Sequence, residues 1–147
     1  MPKPTNIDVA KYMFTEDVKF LQKALVKHPT KPGQFVLIKR SLDDTKRPGE
    51  WDFAGGNVSF GELHDLALRR EIREEVGIKV DEITPLQVIS NFDESMQTYY
   101  LTIFYTCKAK STDIVLSFEH SDFCWASKEQ ALELLEQDWL KAAVNCL

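Results

Sequence analysis

The sequence predicts an α/β fold, a mixed β-sheet flanked by helices, and three observations carry that expectation. Short apolar β-rich runs recur along the chain, an amphipathic stretch of helical period lies among them, and the loops are too short for parallel crossovers throughout. With 147 residues, 44% hydrophobic and 28% charged, the composition suits a single domain over 1–147 around one core.

Residues 1–6, with Pro2 and Pro4, are expected to form a loose arm. The stretch 18–27 fits two periods: Val18, Leu21, Ala24 and Leu25 suit a helix, whereas Val18, Phe20, Gln22, Ala24 and Val26 alternate as in a strand. Its neighbours favour the strand. The turn-rich His28-Pro29-Thr30-Lys31-Pro32-Gly33 leads into the apolar run Gln34-Phe35-Val36-Leu37-Ile38-Lys39, and two runs so joined read as neighbouring strands. A charged loop over 41–50 precedes Trp51-Asp52-Phe53-Ala54, a brief extended segment expected to end at Gly55-Gly56. A helix is expected over 63–76, stopped by Gly77 in the C′ position. Strands over 86–92 and 98–108 should pair as an antiparallel hairpin across Asp93-Glu94-Ser95-Met96. Phe123-Cys124-Trp125-Ala126 reads as another short strand, and Ser127 as the cap of a last helix carrying Ala131, Leu132, Leu134 and Leu135. Beyond it the tail bears Val144 and Leu147, a surface on which a partner has no specific support.

The bulk properties exclude several function classes. No stretch reaches the length of a bilayer span and the first residues lack an apolar signal-peptide core, so a soluble, cytoplasmic protein is expected, without a membrane partner. Cys107, Cys124 and Cys146 lack paired metal spacing and read as reduced, mostly buried thiols. A net charge of −5 argues against a nucleic-acid partner, because nucleic-acid phosphates want a basic face. An anionic substrate would need local neutralisation, for which a divalent cation held by carboxylates is the candidate.

The stretch Arg70-Glu71-Ile72-Arg73-Glu74-Glu75 carries that chemistry. On a helix, Glu71, Glu74 and Glu75 stand at i, i+3 and i+4 and share one patch, where Glu71 and Glu75 repel at i, i+4. An ordinary solvated helix face is the competing reading. The helical wheel argues against it: Leu68, Ile72 and Val76 form an apolar stripe, and the adjoining ridge Leu63, Ala67, Glu71, Glu75 turns from apolar to acidic. Carboxylates at a core margin need partners. Arg70 can pair with Glu74 or reach back to Glu62, and the upstream Gly55-Gly56 pair permits a close backbone approach to a ligand.

Taken together, Gly56, Glu62, Arg70-Glu71-Ile72, Glu74-Glu75 and Gly77-Ile78, at spacings of five, seven, one and one intervening residues, resemble the signature box of the Nudix (MutT-related) hydrolases with every fixed position filled. At about 7% usage per fixed residue, a chance match to all of these positions is well below about one in a million. The resemblance implies an α/β/α sandwich with a mixed sheet, and hydrolysis of a nucleoside diphosphate linked to a moiety X. It implies metal ions, magnesium with manganese as an alternative, held by Glu71, Glu74 and Glu75 with a backbone carbonyl at Gly55-Gly56, entered here as Gly56. It implies Glu62 and Arg70 as a brace, Glu71 or Glu74 as base, and a further ligand outside the box, Glu119 first and Glu94 second. Lys39 and Arg40 are candidates for the cation that faces the phosphates.

The group X must be read by residues outside the box. Phe53 is the stacking candidate taken forward from Trp51, Phe53, Tyr99, Tyr100, Phe104, Phe123, Trp125 and Trp139, most of which alternation assigns to the core. Asp122 and Asp52 are the candidates for base-edge hydrogen bonds. The family's downstream proline for ADP-ribose is missing from Asn91-Phe92-Asp93-Glu94, and Tyr99 and Tyr100 sit off the tyrosine spacing of dinucleoside polyphosphate hydrolases. A small nucleoside triphosphate, intact or damaged, is therefore the expected substrate, with ADP-ribose, nucleotide sugars and dinucleoside polyphosphates as alternatives. A non-catalytic nucleotide-binding module is less in keeping with three intact box glutamates. Quaternary state, monomer or homodimer, stays open.

Overall fold

The computed structural model describes residues 18–59 and 61–147; the expected arm over 1–6 lies outside them. The elements run β1 (Val18–Lys27), β2 (Phe35–Arg40), β3 (Trp51–Asp52), β4 (Ala54–Asn57), α1 (His64–Val76), β5 (Val80–Asp93), β6 (Thr98–Ala109), β7 (His120–Ala126), α2 (Lys128–Leu134) and α3 (Asp138–Asn145). The strands of the described residues form one mixed sheet of seven, ordered β3-β2-β1-β6-β5, with β4 on β1 and β7 on β2.

The ambiguous stretch 18–27 is a strand because it has strand partners on both sides. It runs parallel to β6 from Val18↔Tyr99 to Lys27↔Lys108 and antiparallel to β4 from Leu21↔Asn57 to Ala24↔Ala54. The expected pairing of β1 with β2 is almost absent: they meet only at Lys27↔Phe35 and then diverge. Residues 51–57 fill the opening, first on β2 through Lys39↔Trp51 and Ile38↔Asp52, then on β1. The extended chain therefore does not stop at Gly55-Gly56 but continues as β4. A Cβ on Gly55 would lie 1.9 Å from the Gln22 carbonyl oxygen of β1, so only glycine allows the strands to approach this closely.

Both sheet faces are covered, which is why Gln22, Lys23, Ala24, Leu25 and Val26 are all buried where alternation alone would expose every second residue. Ala24, Val26, Val36, Ile38 and Tyr105 pack with Leu68, Ile72 and Val76 of α1. Leu25, Phe35, Leu37 and Phe104 pack on the other face with Ala131, Leu135, Leu140, Ala143 and Val144. The apolar stripe read from the sequence is thus the buried side of α1, which ends at Gly77 in the left-handed conformation. Its last carbonyls are satisfied from outside: Val115 N donates to Val76 O at 2.9 Å and Ser117 N to Glu75 O at 3.1 Å.

Other boundaries differ from expectation for identifiable reasons. β5 starts at Val80 rather than at 86, with register shifts between Asp81 and Thr84 and between Pro85 and Gln87. An outer strand tolerates proline and bulges, and these hide the alternation from the sequence. Ser127 caps α2 through a capping box with Gln130, but a second helix, α3, follows. Val144 is therefore core and not partner surface, while Leu147 remains 45% exposed. Of the three free cysteines, Cys107 is buried, Cys124 half-buried and Cys146 exposed, so the expectation of mostly buried thiols fails at the last. Among the described residues no helix is long and apolar enough to cross a membrane.

Candidate active site

A cleft of about 980 Å³ opens where β1 and β2 part. Lys23, Asp52, Gly55, Gly56, Glu71, Glu75 and Glu119 line it, along with Arg40 and Arg47. Its acidic end is built by α1 against β4. Glu75 reaches the turn of β4, where its Oε2 accepts a hydrogen bond from Gly55 N at 3.1 Å. Burial pushes the Glu75 carboxyl up to about 8; the Lys23 charge and the Gly55 amide oppose this, while the Glu71 and Asp52 charges add to it. Glu71 lies against Gly56, where a Cβ would come within 2.6 Å of its carboxyl carbon. Burial also raises the Glu71 carboxyl, against the pull of Arg70 and with the help of the Glu74 and Glu119 charges.

Arg70 gathers the remaining box carboxylates. It grips Glu62 through two parallel contacts, Nε to Oε2 at 2.7 Å and Nη2 to Oε1 at 3.0 Å. Its Nη1 reaches Glu71 Oε1 at 3.0 Å and Glu74 Oε2 at 3.2 Å. The hydrogen bonds from Arg70 are the largest influence holding Glu62 below the usual carboxylate range, and Glu62 in turn raises Arg70. Of the two partners open to Arg70, Glu74 and Glu62, it thus takes both. Glu74 is 58% exposed and outside the cleft lining, whereas Glu71 is within it.

The candidates outside the box divide likewise. Glu119 is exposed on the cleft wall, and its carbonyl accepts from Ser41 N at 2.9 Å. Glu94 sits in the β5–β6 turn, outside the lining. Arg40 faces the cleft, with Nη1 3.2 Å from Asp52 and Nη2 2.6 Å from Asp44. Lys39 lies outside that lining, its ammonium 5.9 Å from the Trp51 ring centre, since successive residues of β2 point to opposite faces. Phe53 touches the cleft wall but is only 1% exposed, wedged between Phe35 and Phe104, and presents no face for stacking. Asp122 is exposed opposite Lys39, outside the lining, and its carboxylate accepts from Phe123 N at 2.8 Å. Asp52 has no free edge for a base: Lys23, Arg40 and Arg47 converge on its Oδ2, and Phe53 N donates to its Oδ1.

Lys23, Arg47 and His120 were missed by the sequence reading. Lys23 carried a signal, a lysine inside a strand whose other central residues are buried. Arg47 belongs to the loop 41–50 and carried none; its guanidinium lies 5.6 Å over Trp139 while also contacting Asp52 at 2.8 Å. His120 lines the cleft, half-buried, and burial lowers its pKa.

The donor set fits a hard cation. Among the described residues no three His, Cys, Asp or Glu side chains converge as a ready cage, because Arg70 holds Glu71 and Glu74. Nevertheless, two mutually repelling carboxylates with raised pKa values face a glycine turn, in a cleft lined, among the described residues, by seven carboxylates and four lysine or arginine side chains. Oxygen ligands carrying excess negative charge are the environment that a divalent ion relieves.

Known proteins bear on this geometry. The model of the NUDIX domain matches residues 24–144. The chain belongs to the Nudix family. It is 31% identical over 107 residues to the nucleoside triphosphatase NudI of Enterobacter sp. (strain 638), a match covering 66% of this chain and 75% of that relative. NudI of Escherichia coli O81 (strain ED1a) is 32% identical over 110 residues, with the same shares covered. Among solved structures, a MutT Nudix hydrolase from Burkholderia pseudomallei shares the fold at a TM-score of 0.74 and 24% identity, covering 90% of this chain and 99% of that one. A C. elegans Ap4A hydrolase shares it at 0.70 and 18%, covering 87% and 93%. The stretch 56–78 is therefore a Nudix box on a Nudix sandwich, and the chain is a Nudix hydrolase, a family that generally uses divalent metals.

Proposed function

We propose that this Nudix hydrolase is a magnesium-dependent pyrophosphohydrolase of nucleoside triphosphates. The observation that carries the reading is the packing of Glu71 and Glu75 against Gly55-Gly56, at the end of a cleft whose wall presents Lys23, Arg40 and Arg47. The name of the NudI relatives, nucleoside triphosphatase, supports the substrate class.

Glu71, Glu75 and the backbone at Gly56 would hold the ion, with Glu119 as the ligand from the opposite wall and Glu74 joining if Arg70 releases it. When bound, such an ion spreads the charge of the phosphate oxygens and lowers the pKa of an attacking water. Glu71, inside the cleft, is better placed than the exposed Glu74 to take the proton of that water as it attacks phosphorus. The P–O bond to the departing phosphate then breaks, while the cationic wall keeps the phosphate chain seated equally before and during the attack. Arg70 and Glu62 keep the loop and helix in register, so that the glutamates stay fixed relative to the glycine turn.

The test is a panel of nucleoside triphosphates, oxidised triphosphates, ADP-ribose, nucleotide sugars and dinucleoside polyphosphates, ranked by kcat/KM with magnesium and with chelator. Triphosphates should lead and chelator should abolish turnover. Equal turnover in chelator, or a panel led by another class, would reject the reading.

A further inference from the structure

We infer that Asp52 is a positioning residue that arrays Lys23, Arg40 and Arg47 as one comb for the phosphate chain of a nucleoside polyphosphate, an inference that rests on the function proposed above. Asp52 is only 1% exposed, and a single counter-ion would neutralise a carboxylate so buried. Three cations come instead, from β1, the end of β2 and the loop 41–50, all onto Oδ2, at 2.9, 3.2 and 2.8 Å. Phe53 N occupies Oδ1 at 2.7 Å and fixes the carboxylate on the backbone. Like charges drawn to one oxygen repel one another, so this arrangement needs the carboxylate at its centre.

The comb keeps donors in reserve. Arg40 gives a second contact to Asp44, and Arg47 lies 3.8 Å from Glu50, yet Arg40 Nε and Arg47 Nη1 are buried without a hydrogen-bond partner among the described residues. Lys23 has three N–H groups, of which Asp52 takes one. Unspent charged donors beside a cleft suit phosphate oxygens, which accept several such bonds at once. Lys23 is also close enough to Glu75 to hold that carboxyl down against burial, so the comb abuts the acidic end of the cleft. A phosphate chain laid along the cleft would meet the glutamates at one end and the three cations at the other. Asp52 reaches the substrate only through them.

Two variants test this. Asp52→Asn preserves size and one acceptor but removes the charge; Arg47→Gln removes one tooth at a position 21% exposed. Lys31→Gln, exposed and outside the cleft lining, makes the same charge change as Arg47→Gln elsewhere. With saturating magnesium and melting curves as a check on folding, KM for a nucleoside triphosphate and the inhibition constant of inorganic tripolyphosphate should each rise about tenfold or more, the value of one charge-assisted hydrogen bond. Turnover at saturation should stay within about threefold, and Lys31→Gln should match the wild type. The inference is overturned if the folded variants keep wild-type KM and inhibition, if kcat falls while both stay unchanged, or if Lys31→Gln loses as much. Should Asp52→Asn fail to fold, Arg47→Gln decides. Should the wild type hydrolyse no triphosphate, the proposed function falls, and calorimetric titration of tripolyphosphate still decides the comb: weaker binding by Arg47→Gln supports it, equal binding overturns it.

Discussion

Gly55→Ala should be among the most destabilising small substitutions in this protein, and the close strand contact behind Gly55 indicates by how much. The added methyl would lie 1.9 Å from Gln22 O, 2.8 Å from Gln22 C and 2.9 Å from Lys23 Cα, all backbone atoms that cannot rotate away. Ordinary contact distance lies about 3.5 Å away, so β4 would have to retreat by roughly 1.5 Å, enough to break strand hydrogen bonds of normal length. The pairs from Leu21↔Asn57 to Ala24↔Ala54 are at stake, together with the hydrogen bond from Gly55 N to Glu75. At about 1 kcal/mol for each hydrogen bond lost, plus backbone strain at φ 154°, the cost is on the order of 3–5 kcal/mol. That is a large part of the ~5–15 kcal/mol that holds a domain folded. Gly33→Ala is the matched control: φ is +78°, but among the described residues no atom lies within 4 Å of the added methyl, so only the left-handed penalty of about 1–2 kcal/mol applies. Urea unfolding of both variants measures the difference. A Gly55→Ala loss below ~1 kcal/mol, or one no larger than that of Gly33→Ala, would refute the close-approach argument.

Four further outcomes follow from the site. Glu71→Gln should lower kcat by about 10²–10⁴-fold and Glu74→Gln by much less, checked by phosphate release; the reverse order would move the base to Glu74. Magnesium at about 100 times its Kd should stabilise the protein by ~2.7 kcal/mol, read as a rise in Tm that Glu75→Gln diminishes; indifference to metal would count against the site. Without metal, stability should fall as pH rises: burial holds the Glu75 carboxyl at about 8 against an ordinary 4.5, so between these values the native state keeps a proton that the unfolded state has released. Melting in chelator at pH 6 and pH 9 measures this slope, which Glu75→Gln should flatten. Arg70→Ala leaves Glu62 and Glu71 without their common partner and should cost kcat/KM about tenfold or more, while Arg70→Lys, unable to make the two-pronged contact with Glu62, should recover only part of it.

The features determined by local sequence are those whose physics is local. The stripe Leu68, Ile72, Val76 fixes the buried side of α1 from its own 3.6-residue period, and the glutamates inherit their placement at its margin from the same wheel. Gly77 stops that helix and Ser127 with Gln130 starts another through short-range backbone geometry and hydrogen bonds. The acidic half of the site was accordingly legible, down to the glycine turn beside it.

Only the tertiary structure decided the rest. Whether 18–27 is a strand depended on partners in β6 and β4 that lie 30 or more residues away in sequence. Lys39 and Arg40 are adjacent in the chain, yet the pleat turns only Arg40 into the cleft. Phe53 and Asp52 looked like ligand readers, but the core claims one and three cations claim the other. Those cations come from β1, β2 and a loop that share no period or spacing, and they meet because β1 and β2 diverge and residues 51–57 fill the gap. A helix carries its own register in its sequence, whereas a convergence of charges from three elements exists only once the sheet has brought them together.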